Sequence, residues 1–130
     1  MLYPWLKYDQ QFHMDHIFPR SMFKEKELKS RGIPEEQWSL WLDHKDDIGN
    51  LQLLQGVANQ SKQDQDFESW LKGECSTPND LEVYKELHLI PEVELTFENF
   101  PEFLEKRTDL LRTELARLLN VDLKNNLEEQ

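Results

Sequence analysis

Phe12-His13-Met14-Asp15-His16-Ile17-Phe18-Pro19-Arg20-Ser21 is the stretch on which the reading of this chain turns, because it concentrates two imidazoles and a carboxylate. If Phe12 to Asp15 is extended, alternation puts His13 and Asp15 on one face and Phe12 and Met14 on the other, with His16 at the strand's end. A carboxylate oxygen suits a hard divalent ion, and an imidazole with an ordinary pKa of about 6.5 can take a proton from water near neutral pH. Spacing alone leaves two plainer readings open, a surface turn with incidental polar residues or a lone histidine packed against the core.

Working outward, the second chemistry-bearing segment runs from Ile48-Gly49-Asn50-Leu51 to Asn59-Gln60-Ser61-Lys62. Leu51 to Leu54 is a short apolar run bounded by Gly49-Asn50 and Gly56, which reads as a strand between turn signals, or else as a helical turn. From Gly56 the composition favours a helix through Leu71, with Phe67, Trp70 and Leu71 as its buried stripe and Gly73 as its stop. Asn59 lies about one turn into that helix, and Lys62 follows three residues later on the same face. Each has a plain reading as well: Asn59 as a solvated helix residue, Lys62 as half of a surface pair with Asp66.

The remaining segments frame these two. Residues Lys24 to Asp47 form an insert between the two strands. Within it Pro34 reads as a first-turn proline, and Trp38, Trp41 and Leu42 share one face of a helix over about Pro34 to His44. His44 falls in a charge run, Asp43 to Asp47, that is most simply a solvated loop. Further on, Thr77-Pro78 followed by Asp80 predicts a capped helix carrying Leu81, Tyr84 and His88 and ended by Pro91. Asn99 with Glu102 forms a capping-box pattern ahead of Phe100, Phe103, Leu104, Leu111, Leu115, Leu118 and Leu119 at helical spacing. The tail from Lys124 is polar enough to fray. Trp38, Trp41 and Trp70 fall on apolar helix faces and read as core rather than as base-stacking platforms.

Composition bounds the class. With 130 residues and 38% hydrophobic content the chain supports one core and one domain, 1–130, with a catalytic part over about 12–71 and a helical part over about 77–122. No apolar run reaches membrane-spanning length, Met1 to Asp9 lacks the order of a signal peptide, and the single Cys75 excludes an intrachain disulfide; a soluble cytoplasmic protein is the expectation. The formal net charge of −11 runs against nucleic-acid binding, yet it is unevenly spread. Met1 to Lys72 holds 9 Lys and Arg against 12 Asp and Glu, while Gly73 to Gln130 holds 6 against 14.

Three blocks in order, Asp15-His16-Ile17-x-Pro19-x-Ser21, Gly49-Asn50-Leu51-x-Leu53-Leu54 and Asn59-x-x-Lys62, resemble the signature of HNH (His-Me finger) nucleases. With Phe67, Trp70 and the Phe103-Leu104-x-x-Arg107 helix, they look most like the C-terminal nuclease domain of GmrSD-type restriction enzymes, which act on modified foreign DNA. The resemblance implies an α+β fold, with a ββα-metal centre of a short antiparallel hairpin and a crossing helix embedded in a mainly helical domain. It implies that Asp15 and Asn59 hold one divalent metal, that His16 is the general base, and that Asn50 braces the connecting loop. DNA cleavage would leave a 3′ hydroxyl and a 5′ phosphate. His13 is a further ligand, a group orienting Asp15, or a DNA contact, and Lys62 is placed to approach a phosphate.

Asp15 stands where many members have His, and Asn59 where others end with His. That shift from nitrogen toward oxygen favours Mg²⁺ or Mn²⁺ over Zn²⁺. The acidic balance implies that a partner domain or subunit supplies most of the DNA contacts. The competing reading is a non-catalytic interaction module or an acidic DNA mimic, which accounts for the charge but gives no reason for the ordered motif.

Overall fold

The computed structural model describes residues 12–55 and 66–128, with side chains over 14–53 and 66–120. It is an α+β arrangement, mostly helical, with one two-stranded antiparallel sheet. Strand β1 (Phe12–His16) pairs with β2 (Leu51–Gln55) in the register Phe12↔Gln55, Asp15↔Gln52 and His16↔Leu51. The expected alternation holds at Met14, 62% exposed, and Asp15, which with its cross-strand partner Gln52 turns inward at 9% and 2%; the side chains of Phe12 and His13 lie outside the described residues. Leu51 to Leu54 is therefore strand and not a helical turn.

Beyond the last strand pair, Asn50 extends the ladder. Its carbonyl accepts from the Ile17 N–H at 2.7 Å. Its side-chain amide then stands in for the next strand residue: Oδ1 accepts from the Phe18 N–H at 2.9 Å and Nδ2 donates to the Phe18 carbonyl at 3.1 Å. The buried backbone of Phe18 is thereby satisfied where no strand faces it. Phe18 can thus enter the core, where it makes edge-on contacts with Phe67, Phe97, Phe100 and Phe103 at centroid distances of 5.1 to 6.2 Å.

The insert between the strands is folded. Helix α1 (Glu25–Ser30) ends where Gly32 takes φ +74°, and the Gly32 and Ile33 N–H groups return to the carbonyls of Lys29 and Leu28. Buried Leu28 and Ile33 provide the apolar contact that accompanies this type of helix end. The helix expected from Pro34 to His44 is broken into a 3₁₀ turn, Glu35–Gln37, and a short α2 (Ser39–Leu42). Pro34 is extended (φ −59°, ψ 139°) and precedes the turn instead of occupying its first position. The apolar face nevertheless reaches the core: Trp41 is buried and its indole donates to the Phe97 carbonyl at 2.9 Å, while Trp38 donates to the Ile33 carbonyl at 2.8 Å.

Helix α3 (Phe67–Glu74) corrects a second expectation. Asp66 is extended and accepts from the Ser69 N–H at 3.3 Å, so the helix starts at Phe67 and does not run unbroken from Gly56 to Leu71; residues 56–65 lie outside the described residues. Gly73 sits inside α3, and Phe67, Trp70 and Leu71 are buried as expected. Helix α4 (Pro78–His88) is capped by Thr77, which accepts from the Asp80 N–H at 3.1 Å, with Pro78 in the first turn.

Helix α5 (Phe100–Glu128) follows a 3₁₀ turn, Phe97–Asn99, that contains the expected cap residue; the Asn99 amide donates to the Glu94 carbonyl. The helix continues through Glu128, past the expected fraying point. Phe100 and Phe103 are wholly buried, whereas Leu115 and Leu119 are about half exposed, so the apolar spacing outlasts the core it was expected to cover. Among the described residues no helix is long and apolar enough to cross a membrane.

One side chain ties α5 to the hairpin. Arg107 is 1% exposed and its guanidinium donates to the carbonyls of Ile48, Gly49 and Leu51 at 3.2, 3.0 and 2.7 Å, and to that of His88 at 3.1 Å. The planar fork reaches several carbonyls at once, and that of Ile48 also accepts from the Leu51 N–H of its own 3₁₀ turn. Gly49 permits the approach, since a Cβ there would lie 2.7 Å from Leu104 Cδ1 and 2.8 Å from Thr108 Oγ1.

Candidate functional site

The hairpin brings the first two sequence blocks together at one end of the sheet. Asp15 and His16 close β1, and Gly49-Asn50-Leu51 opens β2 beside them. His16 is partly exposed, and its Nε2 lies 2.7 Å from Asp46 Oδ1. Asp46 also lies 3.5 Å from Arg20 Nε. The hydrogen bond from His16 holds the Asp46 carboxyl below its ordinary value, helped by the nearby positive charge of Arg20. A carboxylate on one ring nitrogen fixes the tautomer, so that a neutral imidazole carries its proton on Nε2 and its lone pair on Nδ1.

Asn50 controls that geometry from the backbone side. Besides its two bonds to Phe18, its Nδ2 donates to the Lys45 carbonyl at 2.8 Å. One buried amide therefore grips both the exit of β1, just beyond His16, and the loop that carries Asp46. The pair His16 and Asp46 is 30 residues apart in sequence and is held together by this link.

Asp15 faces the other way, toward the helices. Gln52 Nε2 donates to Asp15 Oδ2 at 3.4 Å, and Gln52 Oε1 accepts from the Tyr84 hydroxyl at 2.8 Å. Tyr84 is itself fixed, stacked on His88 at 4.2 Å and edge-on to Trp70 at 5.9 Å. Burial, and secondarily the charge of Arg107, pushes the His88 imidazole down to about 4. His88 is thus a buried neutral ring near neutral pH.

The expected ligand Asn59 and the expected phosphate contact Lys62 lie outside the described residues, as does the side chain of His13. Among the described residues no group of three or more His, Cys, Asp and Glu gathers as a metal cluster. Among the described residues Asp15 is the one buried carboxylate, the kind of donor that a hard divalent ion accepts.

Two participants were not legible in sequence. Asp46 belongs to the charge run read as a solvated loop, and its partner is too distant in the chain for spacing to reveal. Gln52 occupies the open position of the Gly-Asn-Leu block. A polar residue amid Leu51, Leu53 and Leu54 on an inward-facing strand position was the available signal, because a buried amide requires partners.

Comparison with known proteins agrees with this architecture. No curated protein matches the sequence. The family model described as GmrSD restriction endonucleases, C-terminal domain, matches residues 3–124. That span takes in the hairpin, the insert, the Arg107 anchor and nearly all of α5, and the chain belongs to the GmrSD restriction endonuclease C-terminal domain family.

Proposed function

We propose that this chain is a metal-dependent DNA endonuclease domain acting by an HNH mechanism in the restriction of foreign DNA. The observation that carries the reading is the 2.7 Å contact of His16 with the Asp46 carboxylate, placed one residue from the buried carboxylate of Asp15. In this reading His16 Nδ1 takes a proton from the attacking water. Asp46 keeps the ring oriented and, from an exposed position where solvent weakens the effect, offsets part of the charge that the imidazolium gains.

Asp15, with Asn59, would hold one Mg²⁺ or Mn²⁺. A single carboxylate and an amide oxygen suit such an ion, which keeps several waters and substrate oxygens in its shell. When bound, the ion supplies positive charge to the phosphate and to the departing 3′ oxygen. Lys62 is assigned to a neighbouring phosphate. A partner domain or subunit supplies the remaining contacts, in keeping with the net charge of −11.

The test is nicking of supercoiled plasmid at low salt and high protein concentration with added Mn²⁺. The wild type is expected to nick. His16→Ala is expected to lose at least about a hundredfold, the range typical of a removed general base, and Asp46→Asn to lose a smaller factor. Equal cleavage by the wild type and His16→Ala overturns the assignment. No cleavage by the wild type, together with no Mn²⁺ binding, favours the interaction-module reading.

A further inference from the structure

The inward face of the hairpin carries a polar chain that ordinary packing does not call for. Asp15 and Gln52 are direct cross-strand partners, so their side chains share one face and stand within reach of each other. Both are buried, and an inward strand position filled by an amide costs desolvation unless each polar atom is matched. Here the matches run in one direction: Tyr84 donates to Gln52 Oε1 at 2.8 Å, and Gln52 Nε2 donates to Asp15 Oδ2 at 3.4 Å.

The direction is fixed by chemistry. Turning the Gln52 amide over would set its oxygen against a carboxylate oxygen, acceptor against acceptor. By receiving the Tyr84 proton on Oε1, Gln52 must present Nε2 to Asp15. Tyr84 is in turn immobilised by Trp70 and His88, so the helical layer sets the orientation of a carboxylate on the sheet.

We propose that Gln52 is a positioning residue for Asp15 and that Tyr84 acts on Asp15 only through Gln52. The inference rests on the reading of Asp15 as a metal ligand. One carboxylate oxygen is tethered by the amide, which restricts rotation of the group that would hold the ion. Groups that hold metal-ligating carboxylates in this way affect affinity by about ten- to a hundredfold when removed.

The experiment is calorimetric titration of the full chain with Mn²⁺ alone, for the wild type, Gln52→Met, Tyr84→Phe, the double variant and Asp15→Ala, with urea melts showing that each is folded. The expected result is about tenfold weaker Mn²⁺ binding in Gln52→Met, a smaller loss in Tyr84→Phe, and no further loss in the double variant. Simple additivity of the two losses overturns the chain of action, because two independent packing defects add. Unchanged binding in the folded variants, with binding lost in Asp15→Ala, overturns the positioning role and leaves the nuclease reading intact. Failure of the wild type to bind Mn²⁺, or binding by Asp15→Ala equal to the wild type, overturns both. Should Gln52→Met not fold, Tyr84→Phe, which removes a single oxygen, decides the matter.

Discussion

Replacing Arg107 by Met removes a guanidinium while keeping an unbranched apolar stem of similar reach. Four carbonyls then lose a donor, those of Ile48, Gly49, Leu51 and His88, although that of Ile48 still accepts from the Leu51 N–H. The Gly49 and His88 bonds are buried, and the other two are partly accessible to water. An unsatisfied buried carbonyl costs about 1–3 kcal/mol, and the accessible pair less. The expected loss is therefore roughly 3–5 kcal/mol, a large share of the roughly 5–15 kcal/mol that holds a typical domain together. Arg107→Lys keeps the charge but cannot span acceptors on both the 48–51 segment and His88, and should lose about half as much. Urea unfolding followed by tryptophan fluorescence measures both. A loss under about 1 kcal/mol in Arg107→Met, or a Lys variant as stable as the wild type, refutes the view that this side chain holds the hairpin to α5.

Two further predictions concern stability. Gly49→Ala should destabilise by about 1–3 kcal/mol, since its methyl group would press on Leu104 and Thr108; a melt unchanged from wild type would mean that α5 can move away freely. His88 makes stability depend on pH in a defined window. Its pKa is about 4 when folded and about 6.5 when unfolded, so the unfolded chain binds the extra proton between these values. Stability is then fully present above pH of about 6.5 and falls with pH down to about 4, by roughly 3 kcal/mol in all. In His88→Gln that slope should flatten; an unaltered slope between wild type and variant would show that other groups produce it.

The elements whose formation depends on local pattern were readable from the chain. β1 follows from alternation, α4 from Thr77 with Pro78 and Asp80, and α5 from the recurrence of Phe100, Phe103 and Leu104, because strand alternation and helix capping act over a few residues. Boundaries were read less well where two local signals competed. Pro34 stays extended outside its turn, and Asp66 starts a helix at Phe67 where composition favoured one running through from Gly56. Leu115 and Leu119 show that helical spacing of apolar residues specifies a face but not whether anything packs on it.

Chain order alone showed that Asp15, His16 and Asn50 lie in blocks that resemble a nuclease signature, since motifs record chemistry independently of folding. Tertiary structure decided which groups serve them. Asp46 reaches His16 only because Asn50 holds the end of a 24-residue insert, Lys24 to Asp47, against the end of β1. Gln52 meets Tyr84 only because Arg107 fastens the base of β2 and the end of α4 to one helix. Contacts across 30 or more residues depend on how separately formed elements dock, and docking is set by buried carbonyls and close backbone approach, which leave no periodic trace in the sequence.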